Sequence, residues 1–414
     1  MHESGRLVFP TLEPLEIHSG MVFGPRRTPL PPERVIPQED GEIRDVLEEI
    51  VLEGVSRTPC LVAFSGGRDS SALLALATHV ARREGLEDPI PLTYRFEEHE
   101  RSNETRWQEL VFRHLGLKNW EFVHWGAPLW DSLGEVARRT LLRHGLYWPP
   151  NIHTLVMLLE PARGGCLITG KGGDEVFSPP LSAPRFERDV ARNLPLARAI
   201  NYAIGSLLPT PLGLRFKYRK RLNLSWLQRA ARREIRRRFF ATFAEELEGH
   251  PVHHFNETRY LELFTEITAV FADDAGATLL NPFIHPRFLG AWSRRTPPGG
   301  ERATRAANME ALFGDLLPKA VIRRSTKAMF TEVFWGANCR KFASEWDGTG
   351  LDSSLVDAQA LRKEWAKSPP DLRAYLPLQA AWLSVQPNRP ARSGDPRIHR
   401  NSYPFPVEMD PGCG

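Results

Sequence analysis

Two short stretches place chemically active side chains among glycines: Ser65-Gly66-Gly67-Arg68-Asp69-Ser70-Ser71 and Gly170-Lys171-Gly172-Gly173-Asp174-Glu175. Glycines there let the backbone take positive φ and come close to a ligand, and the first amides of a following helix point into the turn. An anion such as phosphate is the natural occupant. A carboxylate in the same turn, Asp69, repels a bare phosphate, so its presence predicts a bridging Mg²⁺ shared between carboxylate and phosphate oxygens. Asp174 repeats the arrangement. Asp69 and Asp174 are therefore the expected metal ligands, and Ser65, Gly66, Gly67, Ser70, Ser71, Gly170 and Gly172 the expected nucleotide cradle. No Gly-Lys-Ser/Thr follows the first glycines, so this is not a Walker loop. Taken singly, either stretch also reads as a tight turn.

Each turn needs a strand before it and a helix after. Cys60 to Phe64 reads as a buried central strand, and the Leu/Ala-rich run after Ser70 as a helix. Ile43, Val46, Leu47, Ile50 and Val51 form a helical stripe ahead of that strand. Beyond it, Leu92 to Phe96 and the WEFVHW run read as strands, separated by an amphipathic helix that ends at Gly116. A helix over 151–163 and a strand from Cys166 to Thr169 follow. Alternation at this spacing predicts an α/β fold, a parallel sheet with helices on both faces, with a largely helical second half. Ligands of such sheets sit at the carboxyl ends of the strands, where both glycine turns fall.

The 414 residues can bury a large core, and 42% hydrophobic and 25% charged residues are ordinary for a soluble enzyme. A net charge of +4 is too small to imply a nucleic-acid partner. Four cysteines, none in a C-x-x-C pair, argue against structural zinc. No long apolar run or secretion signal is present, so no membrane association is expected and the location is read as cytoplasmic. Residues 1–40 are proline-rich and read as an extended arm, 41–385 as the working domain with a basic helical insert at about 179–270, and 386–414 as a flexible tail.

SGGRDSS, NETRWQELVFRHLG, ITGKGGDEVF, NPFIHPRFLGAW and LPKAVIRRSTKAMF, in this order, resemble the synthetase domain of the asparagine synthetase family. That domain is a PP-loop, Rossmann-like ATP pyrophosphatase fold, and the family includes β-lactam synthetase and lasso-peptide macrolactam synthetases. The resemblance implies ATP and Mg²⁺, with Asp69 and Asp174 as ligands, and a phosphate-binding lysine at Lys327 with Arg323 or Arg324 beside it. It also implies a carboxylate substrate, small molecule or peptide, that is activated as an acyl-adenylate and then joined to an amine or ammonia. A fixed cation such as Lys327 offsets the charge that builds on the α-phosphate and departing pyrophosphate.

Three positions depart from asparagine synthetases. His2 stands where glutamine-dependent members carry a cysteine nucleophile, and few residues precede Asp40, so a separate glutaminase or pathway protein is the expected ammonia source if ammonia is used. Lys171 replaces a glutamate, either as a base of lowered pKa or as a phosphate contact. His285 replaces the aspartate of a PFLD segment. The expected activity is thus ATP-dependent amide-bond synthesis on a specialised carboxylate, with ammonia-dependent asparagine synthesis as the first alternative. The basic Arg215–Phe240 run, with Tyr218 and Trp226 interleaved, leaves an RNA-modifying PP-loop enzyme as a second, and a non-catalytic nucleotide-binding partner as a third.

Overall fold

The computed structural model describes residues 8–95, 104–124, 127–177, 222, 224–248, 250–295, 303–324 and 332–387. Five strands form one parallel sheet: β1 (Cys60–Ala63), β2 (Ile90–Arg95), β3 (Glu121–His124), β4 (Cys166–Ile168) and β5 (Thr278–Leu280), in the order β3-β2-β1-β4-β5. Leu61 pairs with Ile90 on one side and Leu167 on the other, and Leu167 in turn pairs with Leu279. The expected α/β sheet is therefore present, and the order reverses between β1 and β4. That reversal opens a crevice at the strands' carboxyl ends.

Successive residues of a strand face opposite sides, and both sides of this sheet are covered. Leu61, Leu92, Val123 and Leu167 enter one core with Leu159, Ile267, Phe271, Tyr375 and Leu378. Cys60, Val62, Phe64, Cys166, Ile168 and Leu280 enter the other with Leu47, Ile50, Leu73, Leu76, Phe283, Phe288 and Trp292. Truncating a core leucine such as Leu73, which is fully buried, removes apolar contact and leaves a cavity, at a cost of about 2–5 kcal/mol.

The helices that aim the two turns form for local reasons. Arg68–Arg83 is rich in alanine and leucine, and Gly67 precedes it without a side-chain cap, so its first-turn amides remain available. Ile43–Val55 matches its apolar stripe, burying Val46, Leu47, Ile50 and Val51. Thr105–Leu115 stops where Gly116 takes φ 60°. β2 begins at Ile90, two residues before the apolar pattern suggests. A parallel ladder sends each residue's N–H toward only one neighbour, so Pro91 forgoes a single bond and stays in register with Val62. The helix expected over 151–163 is confined to Thr154–Leu159, with Pro161 two residues beyond its end. The second half is largely helical, its longest elements being Arg229–Glu248 and Arg259–Ala275.

Residues 8–40 cross the body with one helix, Pro14–Ser19, and a 3-10 turn at Pro32–Arg34. Their anchor is charged and dry: Arg259 meets Glu16 at 3.0 Å and Glu262 at 2.8 Å, with all three side chains at most 3% exposed. Glu262 also accepts from the Arg27 and Thr28 amides, so its oxygens are satisfied. No described helix is long and apolar enough to cross a membrane.

Candidate functional site

The turn after β1 is held by its own hydroxyls. Ser70 Oγ accepts from the Ser65 amide at 3.2 Å, donates to the Gly67 carbonyl and lies 3.0 Å from Ser65 Oγ. The Gly67 amide donates to Ser65 Oγ. Ser71 lies wholly inside, and its hydroxyl has no hydrogen-bond partner among the described residues. Gly66 has φ +77°, and a Cβ there would stand 2.8 Å from Gln108 Cγ. This position requires glycine on both conformational and steric grounds.

The turn after β4 interlocks with it across the crevice. Gly170 faces the Asp69 and Ser70 backbone, Gly172 lies against Phe283 and Ile284, and a Cβ on Gly173 would fall 2.4 Å from the Asp69 carboxylate carbon. Adjacent parallel strands bring the two glycine runs together although about a hundred residues separate them. The Asp69 carboxylate thus packs closely against Gly173.

One side chain that sequence reading did not single out bridges the two acids. Arg305 Nη2 lies 2.6 and 2.5 Å from the two Asp69 carboxylate oxygens, and Nη1 contacts Asp174. Burial works against the Arg305 charge, yet the two carboxylates more than offset it and hold its pKa above the ordinary arginine value. For Asp69, burial raises the pKa and Arg305 offsets only part of this. Arg305 opens the Arg305–Phe313 helix, whose N-cap Thr304 accepts from the Ala307 amide at 3.2 Å. That cap is legible as a helix start; acids 131 and 236 residues distant are not.

The donor set suits Mg²⁺, since both converging groups are carboxylates and a positively charged group already bridges them. Among the described residues no cluster of three or more acidic, histidine or cysteine ligands occurs. A Mg²⁺ held by Asp69 and Asp174 would therefore draw its other ligands from phosphate oxygens and water.

The remaining basic residues divide. Arg324 is buried beneath the first turn, donates to the Gly66 carbonyl at 2.6 Å, pairs with Glu104 and lies over the Trp107 ring at 4.8 Å. Lys327, with Tyr218 and the Arg215–Arg221 part of the basic run, lies outside the described residues. Lys171 runs along an aromatic wall. Its Nζ donates to the Tyr260 hydroxyl, stands 4.8 Å from the Phe264 ring centre and lies 3.7 Å from Glu175. Tyr260 donates in turn to Glu175 Oε1 at 2.6 Å. Burial, with Glu175 beside it, pushes the Tyr260 phenol well above its usual range, so it stays protonated.

Beyond Ile284 lies an open trough of about 410 Å³, lined by Arg34, Thr265, Thr268, Asn281 and His285 among others. Burial, then Arg34 and Arg287, lowers the His285 pKa to about 4, leaving the ring neutral near pH 7. Trp226 is 1% exposed and its indole donates to the His18 carbonyl, so it offers no face to a nucleic-acid base.

A family model described as asparagine synthase matches residues 42–286, more than half of the chain. Comparison with curated proteins returns no match.

Proposed function

Since the chain belongs to the asparagine synthase family, whose members are ATP-dependent, amide-forming ligases, we propose that it activates a specialised carboxylate as an acyl-adenylate and passes the acyl group to an amine. The observation that carries this reading is the meeting of the Ser65–Ser71 and Gly170–Asp174 turns at the strand-order reversal, with Asp69 and Asp174 bridged by one positive group. A nucleotide at this crevice has amides of the Arg68–Arg83 helix facing its phosphates. Mg²⁺ bound by the two aspartates would neutralise the triphosphate and the pyrophosphate that leaves.

The chain's own groups then position the reactants. Arg324 holds the glycine turn through Gly66, and Gly173 fixes the Asp69 carboxylate. The substrate carboxylate attacks the α-phosphorus and pyrophosphate departs. The amine then attacks the acyl carbonyl and AMP leaves with the electron pair of the broken acyl-oxygen bond. The amine must lose a proton in that second step. The chain Lys171, Tyr260 and Glu175 is oriented to carry it, because Lys171 donates to Tyr260 and Tyr260 donates to Glu175. A proton passed along it leaves Lys171 as a free amine able to accept the next one.

Charge favours a donor other than free aspartate. Lys171 and His285 replace acids that asparagine synthetases carry, and near His285 stands the Arg34 guanidinium, so the charge at these two positions is more positive than in those enzymes. Such a wall suits an acyl chain with an extra anionic or hydrogen-bonding group better than an α-ammonium. A substrate labelled with ¹⁸O in its carboxylate tests the reaction: one label recovered in AMP is expected, and release of ADP and phosphate would exclude the adenylate route.

A further inference from the structure

Arg305 stands at the point where two carboxylates converge on a cation. Its Nη2 spans both oxygens of Asp69 at 2.6 and 2.5 Å, and Nη1 takes Asp174. The Arg305 side chain is 15% exposed and its Nε finds no acceptor among the described residues, so the two acids are its support. Asp69 has little room to turn aside and serve two cations at once, because Gly173 packs so close that a Cβ there would fall 2.4 Å from the carboxylate carbon. A divalent ion and the guanidinium therefore compete for the same oxygens.

We propose that Arg305 is a counter-ion latch, filling the cation position between Asp69 and Asp174 in the free protein and yielding it to a divalent metal only when triphosphate oxygens are present to receive the guanidinium. The inference rests on the nucleotide reading of the crevice. Carboxylate and phosphate both match the fork of a guanidinium, so the exchange keeps its charge-assisted hydrogen bonds. Metal alone offers no such replacement: it would leave a largely buried cation without partners, beside the new charge. Metal and nucleotide thus bind as a coupled pair, each raising the affinity for the other by the same factor. The device keeps the acids neutralised and in place between turnovers, and discourages metal without nucleotide.

The test is Mn²⁺ titration of the full chain, read by the loss of the free-ion paramagnetic signal, with and without an α,β-methylene ATP analogue. Wild type is expected to bind Mn²⁺ alone weakly and to gain at least about tenfold when the analogue is present. Arg305→Gln, with the latch removed, is expected to bind Mn²⁺ alone at least about tenfold more tightly than wild type and to lose most of the enhancement by the analogue. Arg305→Lys, which keeps the charge without the fork, should fall between them and serves if the glutamine variant does not fold. Asp69→Asn should remove Mn²⁺ binding in both backgrounds. Equal Mn²⁺ affinity of wild type and both Arg305 variants without nucleotide would overturn the proposal, as would an undiminished enhancement in Arg305→Gln. An analogue that does not bind wild type at all would refute the nucleotide reading instead, and the metal-only comparison would still decide whether Arg305 holds the cation position.

Discussion

Arg324 donates from Nη1 to the carbonyl of Gly66 at 2.6 Å, so a residue 258 positions further along the chain holds the glycine turn from beneath. The ion pair to Glu104 and the contact with the Trp107 face tie it to the Thr105–Leu115 helix and its N-cap. The residue's position is that of a brace. This contact supports the backbone of the glycine turn itself.

Removing that brace should loosen nucleotide binding more than the chemistry. Arg324→Ala leaves Glu104 buried without its partner and the Gly66 carbonyl without a donor, a loss of about 3–5 kcal/mol in stability. In surviving protein KM for ATP should rise at least about tenfold while kcat falls less. A fall in kcat with KM unchanged would place Arg324 in the transition state instead.

Asp69→Asn and Asp174→Asn keep the size of each side chain and remove its charge. Each should reduce metal-dependent pyrophosphate release by about a hundredfold or more while leaving the circular-dichroism spectrum unchanged. Near-normal turnover in either variant would remove the metal-ligand assignment.

The Lys171, Tyr260 and Glu175 chain should matter only after the adenylate has formed. Tyr260→Phe keeps the ring beside Trp148 and deletes the hydroxyl that links Lys171 to Glu175. Amide formation should slow by about 10²–10⁴ while pyrophosphate exchange into ATP continues. Equal losses in both half-reactions would make the chain structural.

Acid should destabilise the protein through His153. Its side chain is fully buried, and burial lowers its pKa from 6.5 to about 4. The folded state then binds fewer protons than the unfolded state between those values, so stability falls as pH drops from about 6.5 toward 4 and the loss saturates below. At pH 5 this amounts to roughly 2 kcal/mol. Urea unfolding of wild type and His153→Gln at pH 7.5 and pH 5 should show the wild type losing that much more; equal losses would remove His153 as the cause.

How much of this was legible in sequence follows from range. Both glycine turns, and the strands and helices that aim them, are local patterns: Cys60–Ala63 is a run of large apolar residues, and Arg68–Arg83 a run of helix formers. Alternation places both turns at strand carboxyl ends, and the strand order that sets β4 beside β1 comes from the structure. β5 escaped notice because Thr278–Leu280 is three residues long and has no period to read. Arg305 and Tyr260 escaped because their partners are remote in sequence: Asp69 and Asp174 stand 236 and 131 residues from Arg305, and Lys171 and Glu175 stand 89 and 85 residues from Tyr260. Trp226 shows the converse. An aromatic among arginines suggests a stacking surface, yet the opposite face of the same segment supplies Ala231, Ile235 and Phe239 to the core, and Trp226 goes with them.

The acceptor question returns to Lys171 and His285. An aspartate-specific, ammonia-using pocket must recognise an α-ammonium, and an acid is the group that does so. Lys171 instead brings a basic side chain that contacts Tyr260 and Glu175, and His285 is neutral near pH 7 with the Arg34 guanidinium beside it. Each replacement changes the local charge by at least one unit in a crevice that must also hold a triphosphate. Free aspartate with ammonium should therefore support little pyrophosphate release, and a larger carboxylate, an amino-acid derivative or a peptide, should support more. Product mass and ATP consumption, measured with aspartate and ammonium against a panel of such carboxylates, decide the matter. Asparagine formed at about one turnover per second or faster would return the chain to plain asparagine synthesis.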